Sequence, residues 1–307
     1  SISLFPILFA LLYRWRHKGC KFILEIRDIW PLTLIEIGNY SPYNPFVLLL
    51  AFIEKLGYQK ADYLVSNLPN ANKHFKEVLG DRPIKFEWIS NGMEIGDGLE
   101  EQALDAQLAA QIDPTTFNVG YAGTIGQANA MEYLIEAAHT LASNKRVKIY
   151  IVGSGYLKEE LEQRVADLDN IVFLGRIPHQ QVQSFLKKMD LLYLSWQNSP
   201  LYRFGVSANK IFDYMYAGVP ILMSGEIPSN PISLSDCGWV IPPEDTQAII
   251  DGINSIVTLP ERELEQKGQN GRTAVLEQFS YSFLASKYGN LFKGLVALSP
   301  SREKFVI

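Results

Sequence analysis

Phe204-Gly205-Val206-Ser207-Ala208-Asn209-Lys210-Ile211-Phe212-Asp213-Tyr214-Met215-Tyr216-Ala217-Gly218-Val219-Pro220 reads as a loop, a helix and the start of a strand. The Gly/Ser/Asn loop opens a helix over Asn209–Ala217, and Gly218-Val219-Pro220 stops it and leads into the next strand. Lys210 falls in the first helical turn, where a cation opposes the helix dipole unless an anion is near. Asp213 lies three residues on, on the same helix face. A carboxylate there can accept two hydroxyl hydrogen bonds from a ribose. The plainer readings are a solvated lysine and a Lys–Asp surface pair worth about 0.2–0.5 kcal/mol.

Outward from this stretch the alternation is regular. Strand-like runs fall at 117–121, 148–152, 171–174, 191–195, 220–223 and 239–241. Helical patterns fill the gaps at 130–142, 157–168, 180–188 and 209–217, and further helices follow at 246–257, 261–278 and 281–296. This spacing predicts βαβ units and a parallel sheet, an α/β fold. Upstream, strands are expected at 21–25, 63–66 and 84–89, with helices at 45–60 and 70–79. Residues 96–116 are acidic and rich in Gln and Ala, a linker carrying a surface helix.

Two glycine loops join strand to helix: Gly123-Thr124-Ile125-Gly126 and Val152-Gly153-Ser154-Gly155. Glycine lets backbone N–H groups approach a phosphate, and the helix N-terminus favours negative charge. Each loop alone also fits a simple turn. In adjacent βα units, however, both emerge at the sheet edge where ligands bind. A dinucleotide fingerprint is weakened, because Leu157 and Lys158 follow Gly153-Ser154-Gly155 and no third glycine appears.

With 307 residues, 47% hydrophobic and 20% charged, the chain has the size of about two globular domains. A net charge of −5 argues against a nucleic-acid surface. The two cysteines, Cys20 and Cys237, give neither a disulfide framework nor a zinc site. His17, His74, His139 and His179 have no metal or triad spacing. Asp167-Leu168-Asp169 imitates a metal-binding D-x-D motif but falls before a strand, as a solvated turn would. Ser1 to Leu12 is apolar and is followed by Arg14, Arg16, His17 and Lys18. It is too short to span a bilayer. It reads as a buried helix with a basic last turn or as an interfacial anchor.

The 204–220 stretch resembles the donor-site signature of family-4 glycosyltransferases, retaining GT-B enzymes. It is most similar to the bacterial group that builds O-antigen, capsule and exopolysaccharide. Segments similar to the same group follow in order: Arg27-Asp28-Ile29-Trp30-Pro31, Ser90-Asn91-Gly92, Tyr121-Ala122-Gly123-Thr124-Ile125-Gly126, Val152-Gly153-Ser154-Gly155 and Val172-Phe173-Leu174-Gly175-Arg176-Ile177-Pro178. The resemblance implies two Rossmann-like domains facing a cleft. Residues 1–95 would be a partial acceptor-side domain, 96–116 the linker, 117–279 the nucleotide-sugar-binding domain, and 280–307 a helix packing back on the first domain. It also implies that Gly123, Thr124 and Gly126 line the diphosphate, with Gly153 and Gly155 in the second donor loop. Arg176 and Ile177 would border the base, Lys210 would meet the diphosphate and Asp213 the ribose. Ser207 and Asn209 would stand near the sugar or phosphates, and Asp28 and Trp30 on the acceptor side. No metal or cofactor is implied, since helix termini and basic side chains stabilise the leaving group.

Three positions depart from the family pattern. Gly205 stands where relatives often carry an acid. Thr124, Gln127 and Asn129 occupy the region of a usual Arg/Lys pair, a charge that Arg203 would replace as a third catalytic residue. The family's first glycine loop and several βα units are missing, so the chain reads as N-terminally incomplete. The implied activity is transfer of a sugar from a UDP- or GDP-sugar to a glycan or lipid-linked glycan, in the cytoplasm or at the inner membrane face, with a peripheral membrane contact. A GT-B nucleotide-sugar epimerase, a nicotinamide oxidoreductase and a non-catalytic sugar-nucleotide-binding fragment stay open.

Overall fold

The computed structural model describes residues 3–96, 100–297 and 305–306. In the N-terminal half, α1 (Pro6–Arg16) precedes β1 (Lys21–Ile26), and α2 (Leu32–Glu36) and α3 (Pro45–Lys60) lead to β2 (Tyr63–Ser66). Then come α4 (Ala71–Leu79) and β3 (Phe86–Trp88), shorter than the run expected from Ile84. Asn44 caps α3 by accepting from Phe46 N, and Pro45 fills the first helical position, where no N–H is needed. A short α5 (Ala106–Ala109) sits in the linker, capped by Asp105.

The C-terminal half runs β4 (Phe117–Thr124), α6 (Met131–Leu141), β5 (Val147–Ser154), α7 (Lys158–Gln163), β6 (Ile171–Gly175), α8 (His179–Leu186) and β7 (Leu191–Ser195). It continues with α9 (Asn209–Ala217), β8 (Ile221–Ser224), α10 (Pro231–Leu234), β9 (Gly238–Ile241), α11 (Thr246–Ile256), α12 (Glu261–Ala274) and α13 (Tyr281–Ala297), and β10 (Phe305–Val306) comes last. All strand pairs are parallel, in the orders β10-β1-β2-β3 and β6-β5-β4-β7-β8-β9.

The second order is that of a doubly wound sheet, in which the chain reverses direction between β4 and β7. Helices cover both faces, so its strands are apolar on both sides. Val119, Tyr121, Ile149, Ile151, Leu191 and Tyr193 pack under α6 and α11. Their neighbours Ala122, Tyr150, Val152, Leu192 and Leu194 face α8, α9 and the end of α12.

The halves meet where two crossing segments run side by side. Met93 N donates to Phe279 O at 3.1 Å, and Tyr281 N donates to Met93 O at 3.0 Å. α13 then lies against the N-terminal sheet: Leu284 packs with Val65 and Ile89, and Lys287 donates to Trp88 O at 2.6 Å.

α1 differs from a buried helix, since Ile7 is its one buried residue among those described. The apolar composition of this segment reflects an exposed face rather than a core position. In α13, open space surrounds the Cβ position of Gly294. Gly294→Ala should therefore stabilise the fold by about 0.5–1 kcal/mol through the lost entropy of the unfolded chain, visible as a higher unfolding midpoint. A lower midpoint would contradict the helical assignment at this position.

Candidate functional site

β4 pairs with β7 only at Val119 and Gly120, so beyond them the two strands diverge. Ala122 thereby loses a ladder partner on that side, and the Tyr214 hydroxyl of α9 takes its place. It accepts from Ala122 N at 2.6 Å and donates to Ala122 O at 3.1 Å. This pins α9 at the opening of the sheet, the position where open α/β sheets bind ligands.

On the other side β4 stays paired with β5 to its end, with Gly123 opposite Gly153 and Thr124 opposite Ser154. The first glycine of each expected loop, Gly123 and Gly153, therefore lies on the strand end itself, while Gly126 and Gly155 follow it. A Cβ at Gly153 would stand 1.8 Å from Gly123 O, and one at Gly155 would stand 1.9 Å from Ile125 O. The two glycine backbones thus meet closely and form the floor of the site.

A cavity of about 540 Å³ opens over this floor. Gly123, Thr124, Gly153, Arg176, Ile177, Lys210 and Asp213 all line it. Gly126 and Gly155 are not among its lining residues. Gly175 (φ 76°) turns the chain after β6 and presents Arg176, exposed and without a partner among the described residues, beside buried Ile177. Ser154, His179 and Val182 also line the cavity. Sequence reasoning missed His179 because metal and triad spacing were the only patterns sought for the histidines. Its signal was adjacency to the Arg176-Ile177-Pro178 segment.

Lys210 is held in an aromatic cage. Its ammonium lies 5.1 Å from the Trp196 ring centre and 5.3 Å from that of Tyr121, and it donates to Asn129 Oδ1. Burial lowers its pKa to about 8, because taking a cation out of water disfavours the charged form. Burial raises the Asp213 carboxyl above its ordinary value, an effect that nearby His179 opposes. The Asp213 backbone is fixed by Gln183 Nε2 at 2.9 Å, while its carboxylate has no hydrogen-bond donor among the described residues. The site thus presents a partly desolvated cation and a free acceptor across a glycine floor. That set of groups can hold a diphosphate at one end and vicinal hydroxyls at the other.

The remaining residues singled out in the sequence fall elsewhere. Gly205 (φ 96°) turns the chain away from the cavity, and a Cβ there would meet the Pro69 ring at 2.5 Å. Arg203 consequently reaches the N-terminal half, where it pairs with Glu36 at 3.0 Å. The Ser207 hydroxyl accepts from Asn91 N at 2.8 Å, and Arg27 donates to the Asn91 side chain at 3.1 Å. Asp28, exposed, and Trp30, half-buried, follow β1 on the far side of this junction. Asn209 is exposed at the first residue of α9. Asp167 and Asp169 are exposed just before β6, at the opposite end of the sheet from the cavity. Ser207→Ala should cost about 1–3 kcal/mol of stability by orphaning Asn91 N–H, with nucleotide affinity of the folded protein nearly unchanged. A large affinity loss in a stable variant would instead place the hydroxyl on the ligand.

Residues 116–258 match the family model of group 1 glycosyl transferases. An uncharacterized glycosyltransferase of Methanocaldococcus jannaschii is 24% identical over 181 residues, covering 56% of this chain. The chain spans only 44% of that relative's length. Sucrose-phosphate synthase of Thermosynechococcus elongatus superposes with a TM-score of 0.72 at 18% identity, over 97% of this chain and 73% of that one. Anabaena HepE, solved in complex with UDP, gives 0.72 at 17% identity, over 95% and 76%. The fold is therefore GT-B, and its second half, over residues 116–258, is similar to the group 1 glycosyl transferases.

Proposed function

We propose that the chain is a glycosyltransferase that moves a sugar from a nucleoside-diphosphate sugar to a glycan or lipid-linked glycan in cell-surface polysaccharide synthesis, in the cytoplasm or at the inner membrane face. The observation that carries this reading is the placement of the Lys210 ammonium and the free Asp213 carboxylate in one cavity over the Gly123–Gly153 floor. Lys210 would face the diphosphate, Asp213 the ribose, and Arg176 and Ile177 the base. The complex of the structural relative with UDP supports the donor class. The sequence resemblance supports the acceptor class and family 4.

The reaction breaks the bond between the anomeric carbon and the diphosphate oxygen, which keeps the electron pair. Lys210 and the N-terminal end of α9 stabilise that charge as it develops. The acceptor hydroxyl attacks from the face the leaving group departs, and its proton passes to the departing phosphate oxygen. The configuration is retained without an enzyme nucleophile. Asp213 is the one carboxylate among the described lining residues, whereas a retaining double displacement of the glycosidase type needs two about 5 Å apart. The donor is a substrate, and the reading requires neither a metal nor another cofactor.

Incubation with UDP- and GDP-linked sugars and lipid-linked glycan, read by nucleotide release and by the anomeric NMR signal of the product, tests this. Acceptor-dependent release with retained configuration is expected. An epimerised donor without acceptor would make the chain an epimerase, and an inverted product would remove the proposed mechanism.

A further inference from the structure

Asn129 ends a short 3₁₀ turn (Gln127–Asn129) between β4 and α6, and its amide oxygen accepts from the Lys210 ammonium. An ammonium only donates, so the amide must meet it with Oδ1. The rings of Trp196 and Tyr121 attract the cation but give it no lone pair. Asn129 Oδ1 is therefore its hydrogen-bond acceptor among the described residues. One N–H of the ammonium is taken in this way. The others remain for oxygens of a ligand in the cavity that Lys210 lines.

The turn is pinned more firmly than a connection between strand and helix requires. Gln127 N donates to the Tyr156 hydroxyl at 3.1 Å, Gln197 N donates to Ala128 O at 3.2 Å, and the buried Ser195 hydroxyl donates to Asn129 O. Three successive residues are thus tied to the segment after β5 and to the end of β7. Ala130, also buried, follows in the left-handed conformation (φ 43°). A residue with a Cβ stays there only where its surroundings impose it. Hydrogen bonds and strain together fix one direction for the Asn129 side chain, toward Lys210.

We propose that Asn129 is a positioning residue for the donor: by holding one N–H of the Lys210 ammonium, it keeps the cation charged and aims the remaining N–H groups at the diphosphate. This role rests on the donor-site reading above and adds to it a side chain that acts through Lys210 without touching the nucleotide. A hydrogen bond to the charged form favours that form, whereas burial opposes it and brings Lys210 to about 8. Loss of Asn129 should tip the balance further toward the neutral amine, and a carboxylate in its place should tip it back. Asp213, Arg176 and His179 share the cavity. The Tyr121 hydroxyl donates to Thr124 O at 2.7 Å, and burial pushes it well above its ordinary value. Removing Lys210 separates its titration from theirs.

The test is calorimetric titration of UDP, or of GDP where wild type prefers it, into the full chain from about pH 7 to about pH 9. Wild type, Asn129→Ala, Asn129→Asp, Lys210→Met and Lys210→Met/Asn129→Ala are compared, with thermal unfolding to establish that each is folded. Wild-type affinity should fall as pH rises, with a midpoint near 8. Asn129→Ala should bind roughly two- to tenfold more weakly, and its fall should begin at lower pH. Asn129→Asp should also bind more weakly, because its carboxylate meets the diphosphate, but its fall should begin at higher pH. Lys210→Met should show no such fall, and adding Asn129→Ala to it should change affinity by less than about twofold. A fall that stays at the wild-type pH in both Asn129 variants overturns the proposal, since mere damage to the turn would weaken binding without moving it. So does a loss on adding Asn129→Ala to Lys210→Met that equals the loss in wild type, which would put Asn129 on the nucleotide itself. In both cases the donor site stands. No nucleotide binding by wild type, or undiminished binding by Lys210→Met, would instead remove the donor-site reading and this role with it.

Discussion

Lys210→Met should lower affinity for UDP or GDP by roughly 10–100-fold while making the ligand-free protein more stable. The affinity loss is that of a charge-assisted hydrogen bond to the diphosphate, about 1.5–3 kcal/mol. The stability gain has the opposite origin. Without an anion, the fold holds an ammonium among Trp196, Tyr121 and Asn129 at a desolvation cost that the aromatic faces only partly offset. The lowering from 10.5 to about 8 corresponds to roughly 3 kcal/mol of that cost. The unfolded chain then binds more protons than the folded one between pH 8 and the ordinary lysine value. Wild-type stability should therefore gain on the Met variant as pH rises through that window. Below it the full difference should persist. A bound diphosphate should remove the difference by raising the lysine's pKa. Calorimetric titration together with thermal unfolding across pH checks both arms, and a variant that binds normally would take Lys210 off the ligand.

Gly153→Ala should be the most destabilising single-methyl change at the site. The added Cβ would stand 1.8 Å from Gly123 O, and φ of 148° is strained for any residue with a Cβ. The neighbour is backbone in the paired strand, so relief requires β4 and β5 to separate where they form the cavity floor. We expect a loss of about 3 kcal/mol or more, a drop in midpoint of roughly 6–12 °C for a unit of this size, and weaker nucleotide binding in the folded fraction. Gly126→Ala is the contrast. Its Cβ would meet the exposed Tyr156 ring at 3.3 Å, a side chain that can rotate away, so the change should stay within about 1 kcal/mol. Equal effects of the two substitutions would refute the floor geometry.

The sheet strands were legible where burial is complete. The fully buried run Leu191–Ser195 and the punctuated helix Asn209–Ala217 appear with the bounds read from sequence. β4 and β5 extend further than expected, because glycine was read as a breaker when a facing pair of glycines lets the ladder continue. α7 ends at Gln163 rather than near Leu168, where the chain continues in turns. In the site, Lys210 and Asp213 could be placed together by helical period alone. Arg203 and Ser207 could not be placed by proximity to them, since the left-handed turn at Gly205 redirects both toward the N-terminal half. The partnership of Asn129 with Lys210 spans 81 residues and has no local signature.

The most direct test is equilibrium titration of UDP, GDP and NAD into the folded wild-type protein, repeated on Asp213→Ala and on Lys210→Met. Saturable binding of one nucleoside diphosphate, weakened in both variants and absent for NAD, is the predicted result. Tight NAD binding, or nucleotide binding that both variants retain in full, would contradict a sugar-nucleotide site at this cavity.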